Sequence, residues 1–233
     1  MNLNGARALV TGGSEGIGRA MAEALLAKGS RVAIMARRSE PLEETAKAVG
    51  ALAIQGDVGV EDDTVRAVQT VVDAFGGIDI LVNNAGFGIF KPLVETDSEE
   101  FQSVLATNVT GAMLMAKEAT RHFIEQNSGH LINIASTSGL RGSRGGTAYS
   151  ASKFALRGMT DCWRAELRQH NVRVMLVCPS EVQTTFFEKV GRAREDSPNK
   201  LRGKEIADAI VGALEIDDRG FIPEFSVWAT NPF

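Results

Sequence analysis

The sequence predicts an α/β fold: a doubly wound parallel sheet of about seven strands with helices on both faces, in one domain spanning residues 1–233. Three observations carry this expectation. Of seven strand-length apolar runs most are continuously hydrophobic, as strands buried on both faces require. Longer segments of helical period stand between them on short connections, the order of successive strand–helix–strand units. A glycine-rich turn joins the first strand to the first helix, where backbone N–H groups and the helix dipole can hold a phosphate.

The first strand, Ala6 to Thr11, leads through that turn into a helix from Gly16 to Lys28, with Gly29 at the expected C-cap. A second strand, Arg31 to Ala36, precedes a helix over Glu40 to Val49 that Gly50 ends. Ala51 to Ile54 and Ile78 to Val82 read as the third and fourth strands, with a helix over Glu61 to Phe75 between them. One long helix is expected over Phe101 to Gln126, and Ser98 with Glu99 and Glu100 marks its start. His130 to Ala135, a helix over Ala148 to Gln169, and Val172 to Cys178 follow. Residues 184–203, with mixed charges and Pro198, have the weakest periodicity and read as a substrate lid. A helix over Lys204 to Leu214 and a strand over Phe221 to Val227 close the series.

Composition narrows the function. The chain is 44% hydrophobic and 23% charged, with a formal net charge of −4, so no basic excess points to nucleic acid. Charges break every long apolar stretch and the N-terminus lacks a secretory pattern, which makes the cytoplasm the expected location and excludes a membrane role. Cys162 and Cys178 lie in apolar contexts without CxxC spacing and are expected as reduced core thiols. His122, His130 and His170 are scattered, so no metal site is expected.

The chemistry-bearing residues follow the strands. Gly12, Gly16 and Gly18 have GxxxGxG spacing, not GxGxxG, and a phosphate-binding loop of the nucleoside triphosphate kind fails at Arg19 and Ala20, where Lys and Ser or Thr are needed. Tyr149 and Lys153 lie at i and i+4, so one helix face carries both, and the ammonium would favour the ionised phenol. A free tyrosine titrates near pH 10, too high for a base at neutrality. Taken alone, the pair is better read as an ordinary amphipathic helix.

The set decides. Thr11-Gly12-x-x-x-Gly16-x-Gly18, Asp57 after the third strand, Asn83-Asn84-Ala85-Gly86 after the fourth, Asn108 in the long helix, Ser136 after the fifth strand, Tyr149-x-x-x-Lys153, and Pro179 with Val182 and Thr184 after the sixth occur in this order. In this the chain resembles the short-chain dehydrogenase/reductase family over nearly its whole length. The resemblance implies a Rossmann-type sheet and an oxidoreductase that interconverts a carbonyl and an alcohol, with 3-oxoacyl and 3-hydroxy acid substrates among the candidates. It implies Tyr149 as general acid or base, Ser136 as hydrogen-bond partner of the substrate oxygen, and Lys153 as holder of the nicotinamide ribose that lowers the tyrosine pKa. Asn108 is implied to hold a relay water. The turn residues Gly12, Ser14, Glu15, Gly16, Ile17 and Gly18 would carry the cofactor's phosphates. Asp57 and Val58 would meet the adenine, Asn84, Ala85 and Gly86 the adenosine ribose, and Pro179, Val182 and Thr184 the carboxamide and pyrophosphate.

Arg37 and Arg38 stand at the end of the second strand, where a carboxylate would bind a ribose 2′-hydroxyl and an arginine suits a 2′-phosphate. NADP(H) is therefore the expected cofactor, with NAD(H) second. Glu15 opposes this, because an acid near a phosphate weakens binding unless it turns to solvent. Ser180 and Glu181 replace a commoner glycine context: a positive φ at Ser180 would be strained, and Glu181 is expected to face solvent. Phe87, Gly88 and Phe90, residues 137–144 with Arg141 and Arg144, and residues 185–187 outline the substrate wall. A catalytically silent cofactor-binding homologue is the alternative, and retention of Ser136, Tyr149 and Lys153 argues against it. Met113, Met115, Phe154, Leu156 and Trp163 are apolar beyond what a monomer would expose, and the family pairs these two long helices, so a homodimer or homotetramer is expected.

Overall fold

The computed structural model describes residues 1–186 and 197–231. The expected lid, 184–203, lies partly outside the described residues, as does Phe187. The elements run β1 (Arg7–Thr11), α1 (Gly16–Ala27), β2 (Arg31–Ala36), α2 (Ser39–Val49), β3 (Leu52–Gln55), α3 (Glu61–Phe75), β4 (Ile80–Asn83), α4 (Ser98–Leu105), α5 (Ala112–Glu125), β5 (Gly129–Ile134), α6 (Thr147–Leu167), β6 (Val172–Pro179), β7 (Val182–Gln183), β8 (Leu201–Arg202), α7 (Gly203–Leu214) and β9 (Glu224–Val227). Seven strands form one sheet in the order β3-β2-β1-β4-β5-β6-β9, every pair parallel. The two-residue ribbon of β7 and β8 is a small addition that periodicity does not reveal.

Alternation along each strand feeds two cores. Val10, Ile34, Val82 and Ile132 face α1 and α7, where Met21, Leu25, Ile206 and Ile210 are buried. Leu9, Met35, Leu81 and Leu131 face α3 and α5, against Val68, Val71, Met115 and Phe123. Each such side chain contributes about 1.5–3 kcal/mol on burial, which is why these strands are mostly apolar. A buried polar ladder at the ends of β4 and β5 is itself paired: Asn83 Nδ2 donates to Asn133 Oδ1 (3.1 Å) and to the Ala112 carbonyl (3.0 Å), and Asn133 Nδ2 to Thr160 Oγ1 (2.8 Å). These bonds fix α5 and α6 relative to β4 and β5.

The structure corrects several expectations. The long helix is interrupted: between α4 and α5 the residues Ala106–Gly111 form a wide, π-type turn, with Asn108 inside it. Its first turn is capped by Asp97, whose side chain accepts from the N–H groups of Glu99 (2.7 Å) and Glu100 (3.3 Å), so Ser98 is already helical. The last strand starts at Glu224, not Phe221, since Pro223 has no N–H to place in a ladder. Cys178 is buried, but Cys162 is exposed on α6 and is no core thiol. Met115 and Leu156 are fully used by the core, whereas Phe154 remains 45% exposed.

Candidate functional site

β1 and β4 are neighbours in the sheet, although the chain visits β2 and β3 between them. The helices after these strands leave on opposite faces, so a crevice opens at the strands' carboxyl ends. Thr11 and Asn84 stitch its floor. Thr11 Oγ1 donates to the Val82 carbonyl (3.2 Å) and accepts from the N–H groups of Asn84 and Ala85 (both 3.0 Å). Asn84 Nδ2 donates to the carbonyls of Thr11 (2.9 Å) and Gly12 (3.2 Å). Gly12 and Gly16 take φ values of +64° and +55°, open only to glycine without strain. A Cβ on Gly18 would lie 2.2 Å from the Gly12 carbonyl oxygen, so the turn can fold back on α1 only without side chains.

A cleft of about 870 Å³ runs from this turn across the sheet, within the range of ligand sites. Arg37, Arg38, Asp57 and Val58 line one end; Ser136, Tyr149, Lys153 and Pro179 line the other. Ser14, Glu15, Ile17, Ala85, Gly86, Val182 and Thr184 lie along it as well. Of the expected cofactor residues only Gly18 is absent from the lining, because it is buried beneath the turn. The glycine cradle, which a Cβ would fill, and the two arginines beyond it fit a dinucleotide carrying phosphate. Thr107, Ile134 and Ala135 also line the cleft, and no motif in the sequence marks them.

Ser136, Tyr149 and Lys153 meet where β5 ends and α6 begins. Ser136 accepts from the Ser138 N–H (3.1 Å), and its hydroxyl is near enough to the Tyr149 phenol to pull the phenol's pKa down. Lys153 is 5% exposed; its Nζ donates to the Ile134 carbonyl (2.8 Å) and lies 5.7 Å from the Tyr149 ring centre. Burial pushes the phenol up to about 12, opposed by the Ser136 hydrogen bond. Burial likewise pushes the Lys153 ammonium down to about 8. The i, i+4 spacing predicts a lowered phenol pKa, whereas here burial raises it.

Asn108 stands behind the cleft wall. Its Oδ1 accepts from the Phe87 N–H (3.0 Å), and its Nδ2 donates to the Phe87 carbonyl (2.8 Å) and Ser152 Oγ (3.0 Å). Ser152 Oγ in turn donates to the Tyr149 carbonyl (2.7 Å). The side chain thus clamps the loop after β4 to α6, a task that the implied water-holding role did not anticipate. The wide turn brings it there: Gly111, whose Cβ would sit 2.6 Å from Val58 Cγ2, lets this segment press on Val58.

At the far end Arg37 lies 3.7 Å from Asp57 Oδ2 and Arg38 lies 3.4 Å from Glu15 Oε1. Glu15 does not simply turn to solvent, because its Oε2 also accepts from Thr185 Oγ1 (2.7 Å). Ser180 escapes strain: only Asn127 and Asn171 among described non-glycine residues have positive φ. Glu181 pairs with Lys200 (3.0 Å) instead of facing solvent alone.

The substrate side is aromatic. Phe90 and Phe186 each place their ring centre 5.4 Å from that of Tyr149 and stand edge to face, 6.4 Å apart. Gly88 lies among all three, and a Cβ there would come within 3.1 Å of each ring. Arg144 lines the cleft, while Arg141 stacks 5.8 Å over Trp228 and so has a structural partner. Among the described residues no group of three or more His, Cys, Asp or Glu could hold a metal, and no helix is long and apolar enough to cross a membrane.

Comparison with known proteins places this geometry. Residues 6–195 match the family described as short chain dehydrogenase. The chain is 37% identical over 217 residues to carbonyl reductase family member 4 of Danio rerio, covering 89% of this chain and 90% of that protein. It is 36% identical over 212 residues to a 3-oxoacyl-[acyl-carrier-protein] reductase of Homo sapiens, with 88% and 90% covered. Its fold superposes on a metagenomic short-chain oxidoreductase in complex with NADP with a TM-score of 0.84 at 33% identity, covering 99% of this chain and all of that one.

Proposed function

We propose that this chain, which belongs to the short-chain dehydrogenase family, is an NADPH-dependent carbonyl reductase with Tyr149 as its general acid. That it is an oxidoreductase acting on CH–OH and C=O groups, with a nicotinamide cofactor, follows from the membership. The observation that carries the finer reading is the meeting of Ser136, Tyr149 and Lys153 in one cleft with the glycine cradle. When bound, the nicotinamide supplies hydride to the carbonyl carbon. Tyr149 gives its proton to the carbonyl oxygen as negative charge develops there, and Ser136 shares that charge through its hydroxyl. Lys153, whose Nζ donates to the Ile134 carbonyl and lies 5.7 Å from the Tyr149 ring centre, is the source from which the phenol is reprotonated. Phe90 and Phe186 keep water from the reacting oxygen and favour an apolar group beside the carbonyl.

The protonation states fit reduction. A phenol near 12 is protonated at neutrality, ready as an acid and poor as a base. Lys153 holds its proton below about pH 8 and loses it above. Carbonyl reduction is therefore expected to fall as pH rises through 8, while alcohol oxidation, which needs the phenolate, climbs toward alkaline pH. Initial rates in both directions across about pH 6 to 10, on a panel of ketones and 3-oxoacyl thioesters with NADPH and with NADH, test this. Reduction that accelerates above pH 8, or turnover indifferent to the cofactor, overturns the reading.

The exposed Phe154 on α6 and the half-buried Met113 and Trp163 support a homodimer or homotetramer built on these helices. Sedimentation at micromolar concentration is expected to give twice or four times 24.9 kDa, and a monomeric mass contradicts it.

A further inference from the structure

Glu15 and Arg38 come from different elements, one just before α1 and the other just before α2, and meet across the mouth of the cleft at 3.4 Å. We propose that Glu15 is a built-in stand-in for the cofactor's 2′-phosphate: Arg38 holds the carboxylate in this structure and passes to the phosphate when NADPH binds. The inference rests on the cofactor reading above and identifies a residue that sets how strongly NADPH is preferred over NADH.

The geometry is that of an exchangeable pair. Arg38 and Arg37 are both more than half exposed, and each touches one carboxylate oxygen at long range, 3.4 Å to Glu15 and 3.7 Å to Asp57. Single, solvent-exposed contacts of this kind contribute little and break readily. A phosphate dianion offers a guanidinium two parallel, charge-assisted bonds and is the stronger partner. Local charge gives the direction. Each of the two guanidiniums already stands against a carboxylate, so a dianion takes up Arg38 as Glu15 releases it. A cofactor with a plain 2′-hydroxyl asks for no exchange. Glu15 thus opposes NADPH selectively, and Thr185 Oγ1, which donates to its Oε2 at 2.7 Å, keeps the carboxylate at the cleft mouth after Arg38 has left.

The test is a thermodynamic cycle. Dissociation constants for NADPH and NADH are measured by titration calorimetry on the wild type, Glu15→Gln, Arg38→Ala and the double variant. Gln keeps an acceptor for the Thr185 hydroxyl and removes only the charge. Glu15→Gln is expected to raise the NADH/NADPH ratio of dissociation constants about fivefold, the upper end of what a solvent-exposed ion pair contributes. In the Arg38→Ala background the same substitution is expected to leave the ratio unchanged. A ratio that stays level or falls in Glu15→Gln overturns the inference. So does a gain that persists in full without Arg38, since Glu15 would then act by plain repulsion. A wild type that binds both cofactors equally overturns the cofactor reading itself, a result seen before any variant is made.

Discussion

Replacing Tyr149 by Phe is expected to lower kcat for carbonyl reduction by about 10²- to 10⁴-fold, the span that a positioned proton donor supplies. The substitution is close to isosteric. The phenyl ring would stay seated between Phe90 and Phe186 at the same centre-to-centre distance of 5.4 Å, so the cleft is not reshaped. Loss of the hydroxyl would leave the Ser136 bond to the Ser138 N–H in place. Calorimetric affinity for NADPH and the melting temperature are therefore expected to stay near wild-type values while turnover collapses. That pattern separates a proton-transfer role from a packing role. A loss below tenfold, or a loss matched by weaker cofactor binding, removes Tyr149 from the chemistry.

What the sequence reveals and what it hides divide along physical lines. Central strands buried on both faces are mostly apolar and therefore legible, the half-exposed edge strands β3 and β9 are legible from their apolar residues, and boundary errors are confined to ends such as Pro223. The cleft's location is legible too, because glycines at Gly12 and Gly16 answer to backbone angles that other residues cannot take cheaply. The wide turn at Asn108 is not. Its flanking residues keep right-handed helical angles, so the apolar period runs through it with little visible break. Nor is the titration of Tyr149 legible: spacing reveals the neighbouring charge, whereas burial is a property of the assembled fold, and burial wins. Contacts between distant segments are equally silent. Nothing near Glu15 announces Thr185, 170 residues away, and the placing of Phe90 and residues 185–187 on the substrate wall does not reveal that the Phe90 and Phe186 rings flank Tyr149.

Gly18 offers the sharpest test of the turn, since Gly18→Ala is expected to disable cofactor binding by adding one carbon. Its φ is not positive, so the requirement is space, not backbone angle. The new Cβ would sit 2.2 Å from the Gly12 oxygen and 2.5 Å from Asn84 Nδ2. Neither can yield alone. The Gly12 N–H is bound to the Met35 carbonyl (2.8 Å), and Asn84 is held through its amide to Thr11 and Gly12. The turn must therefore move as a unit away from α1, at a cost of about 1–3 kcal/mol for overpacking. In a chain of this size that lowers the melting temperature by about 2–10 °C. The displaced amides no longer converge on one phosphate, so NADPH affinity is expected to drop more than about tenfold, a loss of roughly 1.4 kcal/mol or more. Gly212 in α7 is the internal control. A Cβ there meets nothing within 4 Å, and Gly212→Ala is expected to leave the melting temperature level or raise it, because a helix interior favours alanine. Wild-type NADPH affinity in Gly18→Ala would show that the close approach of turn to helix serves folding alone, and the phosphate site would have to lie elsewhere along the cleft.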